Sequence, residues 1–107
     1  MMTTLEKIKR LEQYVGVDHV DIDPVLDMTL EKLIKRELNR LLTLKSRLLE
    51  QVSDFEHKYS LTSEQFYLRY EQGELGDDID FMEWAATLEM IVNLEQQADL
   101  LIKEPVQ

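Results

Sequence analysis

Five carboxylates fall within residues 74–83: Glu74, Asp77, Asp78, Asp80 and Glu83. Asp77, Asp80 and Glu83 recur at three-residue spacing, so on a helix they share a face, and clustered oxygens of this kind suit a hard cation such as Mg2+ or Ca2+. The calcium-loop pattern is nevertheless missing. Neither this stretch nor residues 18–23 has the required order of acids, central glycine and terminal glutamate. Acids just before and inside a helix start also cap it and complement its positive end, and an excess of them faces a partner. Capping and partner-facing charge is the stronger reading, and no metal site is expected.

Metal-dependent hydrolysis of a nucleotide or phosphate is the enzymatic alternative. All-helical pyrophosphohydrolases hold their metals with paired Glu-x-x-Glu and Glu-x-x-Asp motifs. Glu71 and Glu74 supply one pair, but residues 75–107 contain no second, Glu-x-x-Asp pair, since Glu95 and Asp99 are four apart. Half of the ligand set is missing. His19 and His57 stand in different elements with no nucleophile beside either, so solvated or capping roles outweigh catalysis. Gly73 and Gly76 follow a helix rather than a strand and do not form a phosphate loop. No catalytic residue and no cofactor is assigned.

The charge balance points towards proteins rather than nucleic acids. Twelve basic and 22 acidic residues leave a net charge of -10 over 107 residues, which opposes a phosphate backbone and favours a basic partner. The run Lys32, Lys35, Arg36, Arg40, Lys45 and Arg47 is interspersed with acids and reads as a solvated helix face. With no cysteine, neither disulfides nor thiolate metal sites are available. The N-terminal residues are charged throughout, unlike a signal peptide, and no stretch reaches the roughly 18 consecutive apolar residues of a membrane span. A cytoplasmic protein of one domain is expected.

The elements that must position the acidic stretch are helices. Residues 3–15 place Leu5, Ile8 and Val15 at helical spacing, with Gly16 expected to end the segment as a left-handed cap. Asp23 followed by Pro24 marks a helix start, and no glycine or proline then intervenes until Gly73. Leucines and other apolar residues keep a helical period over 24–59, including the seven-residue series Ile34, Leu41, Leu48 and Phe55. Such a helix is roughly 50 Å long. Leu42 and Leu49 widen the stripe beyond a single seam, which calls for more than one neighbour.

Thr62 to Gln65 fits a capping box, with Leu61 and Phe66 at the positions of a hydrophobic staple. A short helix over 63–72 then ends at Gly73. Asp77 or Asp78 can cap a last helix over 78–103, which should stop before Pro105. Residues 71–107 hold ten acids and one base, whereas 30–59 hold seven bases and five acids. The long and last helices are thus electrostatically complementary. Phe55, Tyr59, Phe66, Tyr67, Tyr70, Phe81 and Trp84 should form a three-helix junction, from which Tyr67, Tyr70 or Trp84 is the best candidate for an exposed anchor.

The residues Ser63-Glu64-Gln65-Phe66-Tyr67, Tyr70-Glu71-Gln72-Gly73-Glu74-Leu75-Gly76-Asp77-Asp78 and Asp80-Phe81-Met82-Glu83-Trp84 resemble a motif of small helical bacterial and archaeal proteins. Several of these are similar to antitoxins encoded beside a small toxin. The resemblance covers about a fifth of the chain. It implies a non-enzymatic protein that binds and neutralises a toxin, often an RNase or another nucleic-acid-directed enzyme. The DNA-binding segment that antitoxins commonly add for autoregulation has no counterpart here.

Together these readings predict an all-α chain. A long antiparallel hairpin, with short N-terminal and connecting helices, is completed as a homodimeric bundle. Partner contact is expected at Glu74, Asp77, Asp78, Asp80, Glu83, Tyr67, Tyr70 and Trp84. A purely structural dimeric bundle is the third alternative.

Overall fold

The computed structural model describes residues 1–17 and 21–103. Expectations for Asp18, His19, Glu104 and Pro105 lie outside these residues. The described residues are helical, without strand, in the order α1 (Thr4–Val15), α2 (Pro24–Tyr59), α3 (Ser63–Glu71) and α4 (Ile79–Ile102). The chain divides into two compact units, Met1–Leu33 and Ile34–Gln107.

In the first unit the helix starts are fixed by side-chain caps. The Thr3 hydroxyl accepts the Glu6 N–H at 3.1 Å, and the Asp23 carboxylate accepts the Val25 N–H at 2.9 Å. Each satisfies a backbone donor that the helix cannot satisfy itself. Gly16 departs from the sequence expectation. It has φ −77°, and its N–H continues the helical ladder to the Glu12 carbonyl at 2.9 Å, so no left-handed residue is needed there. No residue of α1 is buried.

The second unit holds the core. Val52, Phe66, Trp84, Ala85 and Ile91 are buried together, with Leu48, Phe55, Leu61, Phe81 and Leu88 packed around them. Contacts between α2 and α4 run in opposite chain order: Lys45 meets Glu95 at 3.7 Å, Phe55 stacks on Trp84 at 5.7 Å, and Lys58 meets Asp80 at 2.6 Å. Two of these are ion pairs of the sign expected from the charge split. Of the seven-residue series, Leu41 is buried and Leu48 and Phe55 are half-buried, while Ile34 is exposed. Leu42 and Leu49 stand 45% and 47% exposed, so this part of the stripe is uncovered within the chain.

Candidate functional site: the acidic turn and the groove beside it

Four local devices set where α2 ends and where α3 starts and stops. At the end of α2, Ser60 takes a left-handed conformation with φ 52°, and Leu61 N–H reaches back to the Glu56 carbonyl at 3.3 Å. This six-to-one bond is the Schellman closure of a helix end. The Glu56 carboxylate also accepts the Ser63 N–H at 2.7 Å. The capping box then forms in full: Thr62 hydroxyl accepts Gln65 N–H and the Gln65 side chain accepts Thr62 N–H, both at 3.1 Å. At the far end Gly73, with φ 74°, closes a second Schellman turn through Glu74 N–H to the Arg69 carbonyl. Only glycine takes that backbone shape without steric cost.

The turn that follows bends again at Gly76, φ 73°, and Asp78 starts α4 by accepting the Asp80 N–H at 2.9 Å. Asp78 is therefore the cap that the sequence left open between Asp77 and Asp78. Glu74, Asp77, Asp78 and Glu83 are all exposed. Asp80 is different. Its Oδ2 accepts from Lys58 Nζ and from Tyr59 Oη, each at 2.6 Å, and Lys58 Nζ lies 5.4 Å from the centre of the Tyr59 ring. The hydrogen bonds from Lys58 and then Tyr59 hold the Asp80 carboxyl below the usual carboxylate range. The same contacts, led by the bond to Asp80, push Lys58 and Tyr59 up. Expected to face a partner, Asp80 instead spends its charge tying α4 to the end of α2.

Trp84 also requires correction. It is 0% exposed, its ring lies parallel to Phe66 at a 3.9 Å centroid distance, and its Nε1–H donates to Ser63 Oγ at 3.2 Å. It is the centre of the core, with Phe55 and Tyr59 stacked on it as well. Burial of the large ring and a satisfied N–H make it a structural residue rather than an anchor. Tyr67 and Tyr70 are half-buried. Tyr70 lines a small cleft with Gly73, Leu75, Gly76, Asp77 and Met82. Tyr67 Oη donates to Glu89 at 3.3 Å, and burial followed by the negative charge of Glu89 and Glu71 pushes its hydroxyl up.

Beside Tyr67 runs a groove of about 790 Å3 between α3 and α4. Tyr67, Leu68, Leu88 and Val92 are its apolar lining residues, and Glu64, Glu71 and Glu89 its charged ones. Leu68 is 60% and Val92 52% exposed. The sequence reading passed over this feature. Its one signal was Leu68, an apolar residue lying off the aromatic face of α3, but only the packing of α3 on α4 brings it near Val92.

Among the described residues, no three carboxylate or imidazole groups converge closely enough to hold a metal ion, and no helix is long and apolar enough to cross a membrane. No protein-family model, curated protein or solved structure matches the chain.

Proposed function

We propose that this chain is a non-enzymatic protein-binding module of antitoxin-like type, which neutralises a basic partner protein through the acidic turn. One observation carries the reading. Once Asp78 has capped α4 and Asp80 has been tied to Lys58 and Tyr59, Glu74, Asp77 and Glu83 are still exposed carboxylates with no ion pair among the described residues. Charge left over after local structure is satisfied raises the rate of encounter with a basic protein and occupies a surface built for phosphate. The resemblance of residues 63–84 to antitoxin-like proteins agrees with this role.

In this reading the antiparallel α2–α4 pair is a hairpin that a second copy completes. Exposed Leu42 and Leu49 are the residues such a copy would cover. The protein then acts in the cytoplasm as a homodimer, without direct nucleic-acid contact and without a cofactor.

The test is co-expression with the adjacent reading frame, followed by pull-down and a growth assay. The expected result is a complex and rescue of growth, both reduced by the combined variant Glu74→Gln, Asp77→Asn, Glu83→Gln. Absence of any complex and of any rescue contradicts the proposal.

A further inference from the structure

The groove between α3 and α4 has a shape and charge that the acidic turn does not explain. Its walls are two helical ridges. On α3 they are Glu64, Tyr67, Leu68 and Glu71, and on α4 Leu88, Glu89, Val92 and Asn93, each set repeating at three- to four-residue steps. Ridges with that spacing leave a channel into which the side chains of a third helix interdigitate. The apolar lining is substantially exposed at Leu68 and Val92, and an amphipathic helix binds by laying its apolar stripe on such a surface.

The charge of the groove decides which helix. Glu64, Glu71 and Glu89 are its three charged residues, and among the described residues no lysine or arginine lines the groove. Glu89 accepts the Tyr67 hydrogen bond through Oε1, and a carboxylate has acceptor capacity beyond one such bond. A neutral or acidic helix would desolvate these carboxylates with nothing to pair them, whereas lysine or arginine beside the apolar stripe pairs them at the edge of the contact. A second copy meeting groove to groove would oppose carboxylates to carboxylates in a chain whose net charge is already -10.

We propose that the α3–α4 groove is a docking seat for a basic amphipathic helix of a partner protein. Tyr67, Leu68, Leu88 and Val92 receive its apolar stripe, and Glu64, Glu71 and Glu89 pair its flanking lysines or arginines. This rests on the protein-binding reading and adds a second contact surface, displaced from the acidic turn along α3.

The test uses two synthetic helical peptides of about 15 residues with leucine at helical spacing, one flanked by lysine and the other by glutamate. Amide shifts of the isotope-labelled full-length chain are followed during titration. The lysine peptide is expected to saturate, with shifts concentrated on residues 63–71 and 88–93. Leu68→Lys and Val92→Lys should each weaken it by roughly tenfold or more, as should the combined variant Glu64→Gln, Glu71→Gln, Glu89→Gln, while the glutamate peptide binds at least about tenfold more weakly. Leu68 and Val92 are both exposed, and an unchanged helical circular dichroism spectrum confirms that each variant is folded.

Equal binding of the two peptides overturns the proposal, as do shifts centred away from the groove. So does a wild-type dimer that Leu68→Lys converts to a monomer, because a second copy is then the occupant. Peptide binding at the groove with no partner recovered from co-expression would leave the groove standing and remove the toxin-neutralising role. A recovered partner that depends on Glu74, Asp77 and Glu83, with no peptide binding at the groove, would do the reverse.

Discussion

Replacing Trp84 by alanine separates the role the structure assigns it from the exposed anchor expected from sequence. The ring is fully buried against Phe66, Phe55 and Tyr59, and its N–H is bonded to Ser63. Truncation of a buried tryptophan costs about 3–5 kcal/mol, and the upper part of that range applies where the surroundings cannot collapse into the cavity. Here the space is lined by the rings of Phe66, Phe55 and Tyr59, rigid groups that cannot extend into it. Ser63 is only half-buried and recovers a partner from water, so it adds little. A loss of about 4–5 kcal/mol is roughly a quarter or more of the stability of an ordinary domain, and it lowers Tm by roughly 15–30 °C for a chain of this size. Trp84→Phe keeps most of the stack and should lose about 1–2 kcal/mol. Urea and thermal unfolding followed by circular dichroism measure both. A Trp84→Ala chain that unfolds like the wild type while failing to bind its partner would refute this reasoning and restore Trp84 as an anchor.

Ser60→Gly should stabilise the protein. A non-glycine left-handed residue costs about 1–2 kcal/mol, partly offset by the greater entropy glycine loses, for a net gain of about 0.5–1 kcal/mol and a Tm higher by about 2–8 °C; a lower Tm would contradict the assignment of φ 52°. The Lys58–Asp80–Tyr59 cluster should shape stability against pH. Because the folded Asp80 carboxyl is depressed, its contribution is present above the unfolded value of about 4 and is lost as acid brings the pH down through the folded value. Because Lys58 and Tyr59 are raised, theirs is present below about pH 10 and is lost as the pH rises through their folded values. Asp80→Asn should flatten both ends of the profile of unfolding free energy against pH, and an unchanged profile would argue against the cluster.

The helices and their ends were legible because they are written locally. Asp23-Pro24, Thr62 to Gln65 and Gly73 each specify a cap or a stop through atoms a few residues apart, and the structure forms all three. Gly16 departs from the expected left-handed cap because glycine permits that region without requiring it. Asp80 and Trp84 depart from the expected partner-facing positions for a different reason. Lys58 and Asp80 are 22 residues apart in the chain, and they meet only in the particular register of α2 on α4. The aromatic count announced a junction without revealing which ring would be its centre, because Tyr67, Tyr70 and Trp84 all carry a polar handle on an apolar body. The groove belongs to neither helix alone, so no periodicity within α3 or α4 announces it.

The most direct measurement is the dependence of partner affinity on ionic strength, taken with the wild-type chain and with the combined variant Glu74→Gln, Asp77→Asn, Glu83→Gln, against the protein recovered by co-expression. Exposed like charges facing a basic surface predict a wild-type Kd that rises steeply with salt, because screening sets in over about 8–10 Å at ordinary ionic strength. The neutralised variant should bind more weakly at low salt and respond to salt much less. Equal affinities and equal salt dependence for the two chains would contradict the claim that the acidic turn is where this protein meets its partner.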